Sequence, residues 1–410
     1  MGALVTTATT APVPHTTVRP RHRWVVLALG VAAQAAFSAM FSGLPVTGVT
    51  MRADYGFSTG QLGFVIGCLG LGVAASDIVW GLLTDRFGDR RILLTGLIST
   101  GSVLVAMAAV ATPADGAGVW RLAGFLCAAG ALGGSVNGSS GRAVMTWFSD
   151  AERGFAMSVR QTAIPVGGAV GVAVLPPVAS AYGFRAAYLT LAVFLLLTAA
   201  AIARWLRAPG EPARTPEAAA SGPSPLRRWD VWRVALAGAL LTVPQFAVLS
   251  FAGIFLHDAK GAGAAAAAVA VVTAQLGGGA LRIWTGRRSD RGGDRRTYIR
   301  VIGVVAAVAM AAVAVLTHAP TPVAVLALAA AGVAANAWHG VAYTEVAVLA
   351  GADRAGTALG LAGTTIFAAG FLTPLLLPVL HGATSWPVVW AAAALAALAA
   401  VPLTPGARHR

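Results

Sequence analysis

Apolar runs of about 20 residues follow one another along nearly the whole chain, the length a helix needs to cross a hydrocarbon core of roughly 30 Å. With 57% hydrophobic and only 11% charged residues, no water-soluble fold of this size could hide them all. A β-barrel would show short alternating segments instead. The chain is therefore expected to be an all-α polytopic membrane protein with twelve transmembrane helices. Six spans fall near residues 24–48, 61–83, 92–112, 118–146, 156–180 and 185–206. Six more fall near 231–255, 264–285, 298–317, 321–348, 356–380 and 386–403.

Six plus six is also what an internal repeat implies. Gly81 to Arg91 reads GLLTDRFGDRR and, 205 residues later, Gly286 to Arg296 reads GRRSDRGGDRR. Seven of the eleven positions are identical: Gly81/Gly286, Asp85/Asp290, Arg86/Arg291, Gly88/Gly293, Asp89/Asp294, Arg90/Arg295 and Arg91/Arg296. Arg153 precedes Pro177 by 24 residues, and Arg354 precedes Pro378 by the same 24. Such a repeat points to two six-helix halves related by a pseudo-twofold axis, spanning 24–206 and 231–403. Residues 1–23 are expected to form a disordered tail, the proline-bearing segment 207–230 a linker between the halves, and 404–410 a second tail. The N-terminal segment lacks the apolar core of a signal peptide, so the first span reads as an uncleaved helix.

Orientation follows from the arginines. With both termini in the cytoplasm, the inner loops and tails hold 22 of the 29 Lys and Arg residues, Arg19, Arg214, Arg408 and Arg410 among them. Only Arg52, Arg121, Arg185 and Lys260 fall near the outer side, and Arg142, Arg160 and Arg282 lie within or at the ends of spans. The positive-inside rule thus places both phrases on the cytoplasmic side of a cell membrane. The formal net charge of +14 is parcelled among membrane loops, where it meets anionic lipid rather than nucleic acid. Cys68 and Cys127 both lie inside spans, so neither a disulfide framework nor a zinc site is expected. There is no phosphate-binding loop, HExxH motif or soluble domain to hold a cofactor, so no enzyme is expected. An ion gradient is the remaining source of energy.

A G-x-x-x-D-R-x-G-x-R-R phrase between the second and third spans, repeated between the eighth and ninth, resembles the signature of the major facilitator superfamily of secondary transporters. Trp147-Phe148 with Glu152-Arg153-Gly154 after the fourth span is similar to that superfamily as well. The resemblance covers Arg23 to Leu403 and implies alternating access about a cavity between helices one, four, seven and ten. In the fifth span Pro165, Gly167 and Gly168 form P-x-G-G, one residue short of the antiporter pattern of the same superfamily.

Three groups of residues follow as candidates. The first is a cytoplasmic gate made of Gly81, Asp85, Arg86, Gly88, Arg90, Arg91, Gly286, Asp290, Arg291, Gly293, Arg295 and Arg296. Here Gly81 and Gly286 would admit a neighbouring helix, Gly88 and Gly293 tight loops, and the carboxylates a latch. A basic loop that only sets topology is the competing reading. The second is the pair Asp77 and Arg282, again 205 residues apart, an acid and a base at matching depth. A charge inside a span costs at least about 2.5 to 3.5 kcal/mol, so it is paired or faces a water-filled path. Either Arg282 binds an anionic group and Asp77 carries or gates a proton, or both belong to charge clusters that hold helices together. The register of Arg282 resembles that of the anion-binding arginine of oxalate and monocarboxylate porters. Against that resemblance, spans one and eleven lack Lys, and Gly278 stands where proton-coupled monocarboxylate porters have an acid. The third group is polar and near mid-span: Gln34, Asn137, Gln245, Asn336, Trp338 and His339, lining a cavity or bonding between helices.

The sequence is thus expected to encode a monomeric transporter of a small organic solute. An organic anion such as a carboxylate, moved with protons, is the leading reading; proton-coupled efflux of a drug or hydrophobic metabolite is the other.

Overall fold

The structure is a computed structural model and describes residues 21–207, 223–292 and 294–404. The expected tails up to Pro20 and from Pro405, most of the linker, and Gly293 lie outside them. Among the described residues there is no strand, and eleven helices are long and apolar enough to cross a membrane. The longest, Arg153–Trp205, is two helices joined at Gly183, whose φ of 77° and ψ of 176° are non-helical. A residue with a Cβ disfavours that conformation, so glycine sets where the fifth span ends and the sixth begins. Twelve spans result.

In chain order these are α1 (His22–Val46), α2 (Thr59–Phe87), α3 (Asp89–Val110), α4 (Val119–Gly133 continuing as Ser135–Trp147), α5 (153–182) and α6 (184–205). The second half comprises α7 (Trp229–Asp258), α8 (Ala264–Gly292), α9 (Arg295–Val315), α10 (Thr321–Asn336 continuing as His339–Ala350), α11 (Ala355–Ala383) and α12 (Trp386–Leu403). Local chemistry marks the ends. Ser58 and Gln61 form a reciprocal capping box at the start of α2, and Asp294 accepts from the Thr297 N–H at 3.1 Å at the start of α9. The first repeated phrase differs from the expected loop: α2 runs through Phe87 and α3 starts at Asp89, so only Gly88, at φ 84°, is non-helical. The phrase is therefore a tight helix corner turned at Gly88.

Small residues let the helices meet backbone to backbone. A Cβ on Gly167 of α5 would lie 2.2 Å from the Ala35 carbonyl oxygen of α1, and one on Gly171 would lie 2.2 Å from that of Ala39. Contacts that cross between the halves join α2 to α11 and α5 to α8. Leu71, Val79, Leu197, Val308, Leu326 and Leu395 point outward and exposed. Outward apolar side chains on helices whose backbone bonds are satisfied internally are what a lipid solvent selects.

Candidate functional site

Two layers of polar residues sit inside this bundle. The first closes one end. Asp85, in the last turn of α2, accepts the backbone N–H of Gly356 at 2.8 Å, that of Thr357 at 2.7 Å and the Thr357 hydroxyl at 2.6 Å. Asp290, its counterpart in α8, accepts the N–H of Gly154 at 2.9 Å and of Phe155 at 2.8 Å. Each carboxylate thus caps the first turn of a helix in the opposite half, satisfying N–H groups that have no partner within their own helix. The glycines make the approach possible. A Cβ on Gly81 would sit 2.4 Å from the Gly356 carbonyl oxygen, and one on Gly286 would sit 2.4 Å from that of Gly154.

The arginines of the phrase play smaller and unequal parts. Arg142 of α4 pairs with Asp85 at 3.3 Å and with Asp89, whereas in the second half the polarity is reversed and Arg296 donates to Glu345 at 2.6 Å. Arg295 pairs with Asp290 at 3.3 Å. Arg90 donates to the Ala203 carbonyl at 2.8 Å, Arg86 lies over the Phe87 ring, and Arg91 and Arg291 are exposed.

The second layer lies about eight residues, roughly 12 Å, further along the helices. Both α4 and α10 are interrupted here, at Gly134 and at Ala337-Trp338, and Asn137 and Asn336 flank the interruptions. Asp77, 1% exposed, accepts from Nδ2 of Asn137 at 3.2 Å on both oxygens. Oδ1 of Asn137 accepts from Nε2 of Gln34 at 3.2 Å, and Oε1 of Gln34 accepts from Arg160 at 2.7 Å. Arg160 also donates to the Asn137 carbonyl at 2.7 Å, the Ser140 hydroxyl at 2.8 Å and Oε1 of Gln161 at 3.2 Å. Arg282 donates to the Asn336 carbonyl at 2.6 Å, to Oδ1 of Asn336 at 2.7 Å and to the Gln161 carbonyl at 3.1 Å. Gln161 therefore stands between two fully buried guanidiniums, with the buried Tyr343 beside its side chain.

Of the residues singled out in the sequence, the structure brings Gln34, Asp77 and Asn137 into one chain of hydrogen bonds, and Arg282 and Asn336 into another. His339 is stacked on Trp338, with ring centroids 3.8 Å apart, and lies within electrostatic reach of Arg282. Gln245 is buried on α7, and among the described residues no hydrogen bond joins it to the network. The residues that join the two chains are Arg160, which the sequence places within or at the end of a span, and Gln161, which the sequence does not single out. Arg160 had a signal of its own: it lies seven residues beyond Arg153, two turns into an apolar helix. Several buried atoms here lack a partner, namely Nε2 of Gln161, Nε1 of Trp338, Nδ1 of His339 and Oε1 of Gln245. A buried polar atom left unpaired costs about 1 to 3 kcal/mol, so these positions are the least satisfied part of the buried centre among the described residues.

A twelve-helix bundle with a latch across its halves and a charged centre is the architecture of a secondary transporter. The sequence model of the Major Facilitator Superfamily matches residues 27–374, and the chain belongs to that family. It is 30% identical over 384 residues to the uncharacterized MFS-type transporter Rv2994 of Mycobacterium tuberculosis, covering 93% of this chain and 85% of the relative. A shorter match, 29% over 148 residues, covers 36% of this chain and 33% of the probable sulfoacetate transporter SauU of Cupriavidus necator. Among solved structures, the proton:xylose symporter XylE shares the fold with a TM-score of 0.74 at 16% identity, covering 93% of this chain and 95% of that one. The protein is a transporter, not an enzyme.

Proposed function

We propose that this transporter moves a small organic anion, with protons, through the centre of the bundle by alternating access, as a monomer in the cell membrane. The observation that carries the reading is the pair Arg160 and Arg282, at 1% and 2% exposure, in one network with a single carboxylate, Asp77. Two buried guanidiniums against one acid leave the centre electropositive. Buried charge of that kind is held for an anionic partner, because desolvation without one is costly. Nε2 of Gln161 adds an unsatisfied donor between them. The partial match to a protein named as a sulfoacetate transporter supports an anionic cargo.

In this proposal the repeated phrases face the cytoplasm, a reading that the arginine distribution supports. The latch made by Asp85 and Asp290 then closes the cytoplasmic gate, and the cargo reaches Arg282 from outside. The Gly81 and Gly286 crossings are the surfaces that part when the gate opens, while Gln34, Asn137, Asn336 and His339 surround the cargo beside the arginines.

Uptake of radiolabelled sulfoacetate and small carboxylates into proteoliposomes, with and without a pH gradient, tests the reading. Saturable uptake that responds to the gradient is expected. No saturable anion uptake, together with extrusion of a cationic dye such as ethidium, would replace the anion reading with hydrophobic efflux.

A further inference from the structure

Three polar links separate the buried base Arg160 from the buried acid Asp77, and their direction is forced by their ends. A guanidinium has only donors and an ionised carboxylate only acceptors. Gln34 must therefore turn its oxygen to Arg160 and its nitrogen to Asn137, and Asn137 must do the same between Gln34 and Asp77. That is the arrangement observed: Arg160 to Gln34 at 2.7 Å, Gln34 to Asn137 at 3.2 Å, and Asn137 to Asp77 at 3.2 Å. Four helices, α5, α1, α4 and α2, contribute one residue each. No ion pair joins Arg160 and Asp77 directly among the described residues; the two amides stand between them.

A proton on Asp77 removes that constraint. The acid then has a donor, which Oδ1 of Asn137 can accept once its amide turns over. Nδ2 of Asn137 then faces Gln34, whose amide turns in the same sense and presents Nε2 to Arg160. Donor now meets donor, and one hydrogen of the Arg160 guanidinium is left without an acceptor. The carbonyl of Asn137 and the hydroxyl of Ser140 still hold the guanidinium in place, so it is freed at one corner and not displaced. We propose that the Gln34–Asn137 amide relay couples proton uptake by Asp77 to the release of Arg160 for the anionic cargo. This inference rests on the anion-with-proton reading above and supplies its coupling step.

The rest of the site fits this division of labour. Arg282 has no such relay: Oδ1 of Asn336 accepts from it, and Nδ2 of Asn336 donates to the Gly332 carbonyl of its own helix at 2.9 Å. Arg282 is thus a fixed cation and Arg160 a conditional one. Among the described residues, the charged or titratable groups within electrostatic reach of Asp77 are Arg160 of α5 and Tyr343 of α10. The other elements against it offer Gln34 of α1, Asn137 and Gly134 of α4, and Gly360 and Gly363 of α11.

The test is infrared spectroscopy of the full chain in detergent, following across about pH 4 to 9 the protonated-carboxyl band that Asp77→Asn removes. Arg160→Gln should displace its midpoint by about one pH unit, the scale of a nearby charge, and Gln34→Leu should displace it by less, because it cuts the chain and leaves the charge in place. The double variant should move it no further than Arg160→Gln alone, because once the arginine is gone the chain has no cation left to transmit. Sulfoacetate should displace the midpoint in the wild type and not in Gln34→Leu. Thermal unfolding confirms that each variant is folded, and Gln34→Ser provides a second way to cut the relay. A midpoint unmoved by folded Gln34→Leu or Gln34→Ser overturns the relay, as does a band that never titrates. If the variants behave as expected but no anion moves the midpoint, the relay stands and the anion reading fails.

Discussion

The latch and the charged centre both lie on the same 205-residue repeat, yet the two layers match to different degrees. At the latch, Asp85 and Asp290 do the same thing, each capping a helix of the opposite half, and Gly81 and Gly286 admit the same close crossing. About 12 Å further in, the equivalent positions hold opposite charges, Asp77 and Arg282. If the proposed function holds, a gate that must fit both halves to close calls for like parts, and a cargo that is itself asymmetric calls for groups that differ. The same contrast reaches the supporting pairs, where Arg142 meets Asp89 in one half and Arg296 meets Glu345 in the other.

The largest expected effect is at the centre. Arg282→Gln should lower transport by about 100-fold or more, since charge-assisted bonds to a cargo contribute roughly 1.5 to 3 kcal/mol each. Uptake assays would read this beside thermal unfolding; a loss of stability as large as the loss of transport would assign Arg282 to packing instead. Next come the latch acids. Asp85→Asn and Asp290→Asn should each reduce transport about tenfold, and the two together more, with a cysteine at the buried Ala355 labelled faster by a maleimide. Markedly unequal effects would break the equivalence of the two copies. Gly81→Ala and Gly286→Ala should weaken the closed form by about 1 to 3 kcal/mol through overpacking, seen as a lower melting temperature and faster labelling at the same cysteine. The smallest effect is expected from Arg91→Gln and Arg291→Gln. Both side chains are exposed, and transport should change by less than about twofold. A large effect there would show that the basic residues, and not the acids, hold the gate.

Much of this molecule was legible from the chain alone. Helix number, the all-α class and the tight glycine crossings all follow from local length and small-residue spacing. Asp77 stood out because a charge in an apolar span is costly wherever its partner lies. Arg160 carried the same signal but sat near a span boundary, where an arginine also makes sense at the membrane surface. Gln161 carried no signal at all, because its importance comes from accepting from Arg282, 121 positions away on another helix.

The sequence by itself determined the solvent, the twelve spans and the two halves, because apolar length and repetition are properties of the chain read in order. It also marked Asp85 and Asp290 as a matched pair. Only the tertiary structure decided what those acids hold, since the N–H groups of Gly154 and Gly356 become partners only when helices from opposite halves cross. In the same way, only packing could show that Gln34 and Asn137 link Arg160 to Asp77. Hydrogen bonds between helices depend on a few ångströms of relative placement, and no spacing within a single helix encodes them.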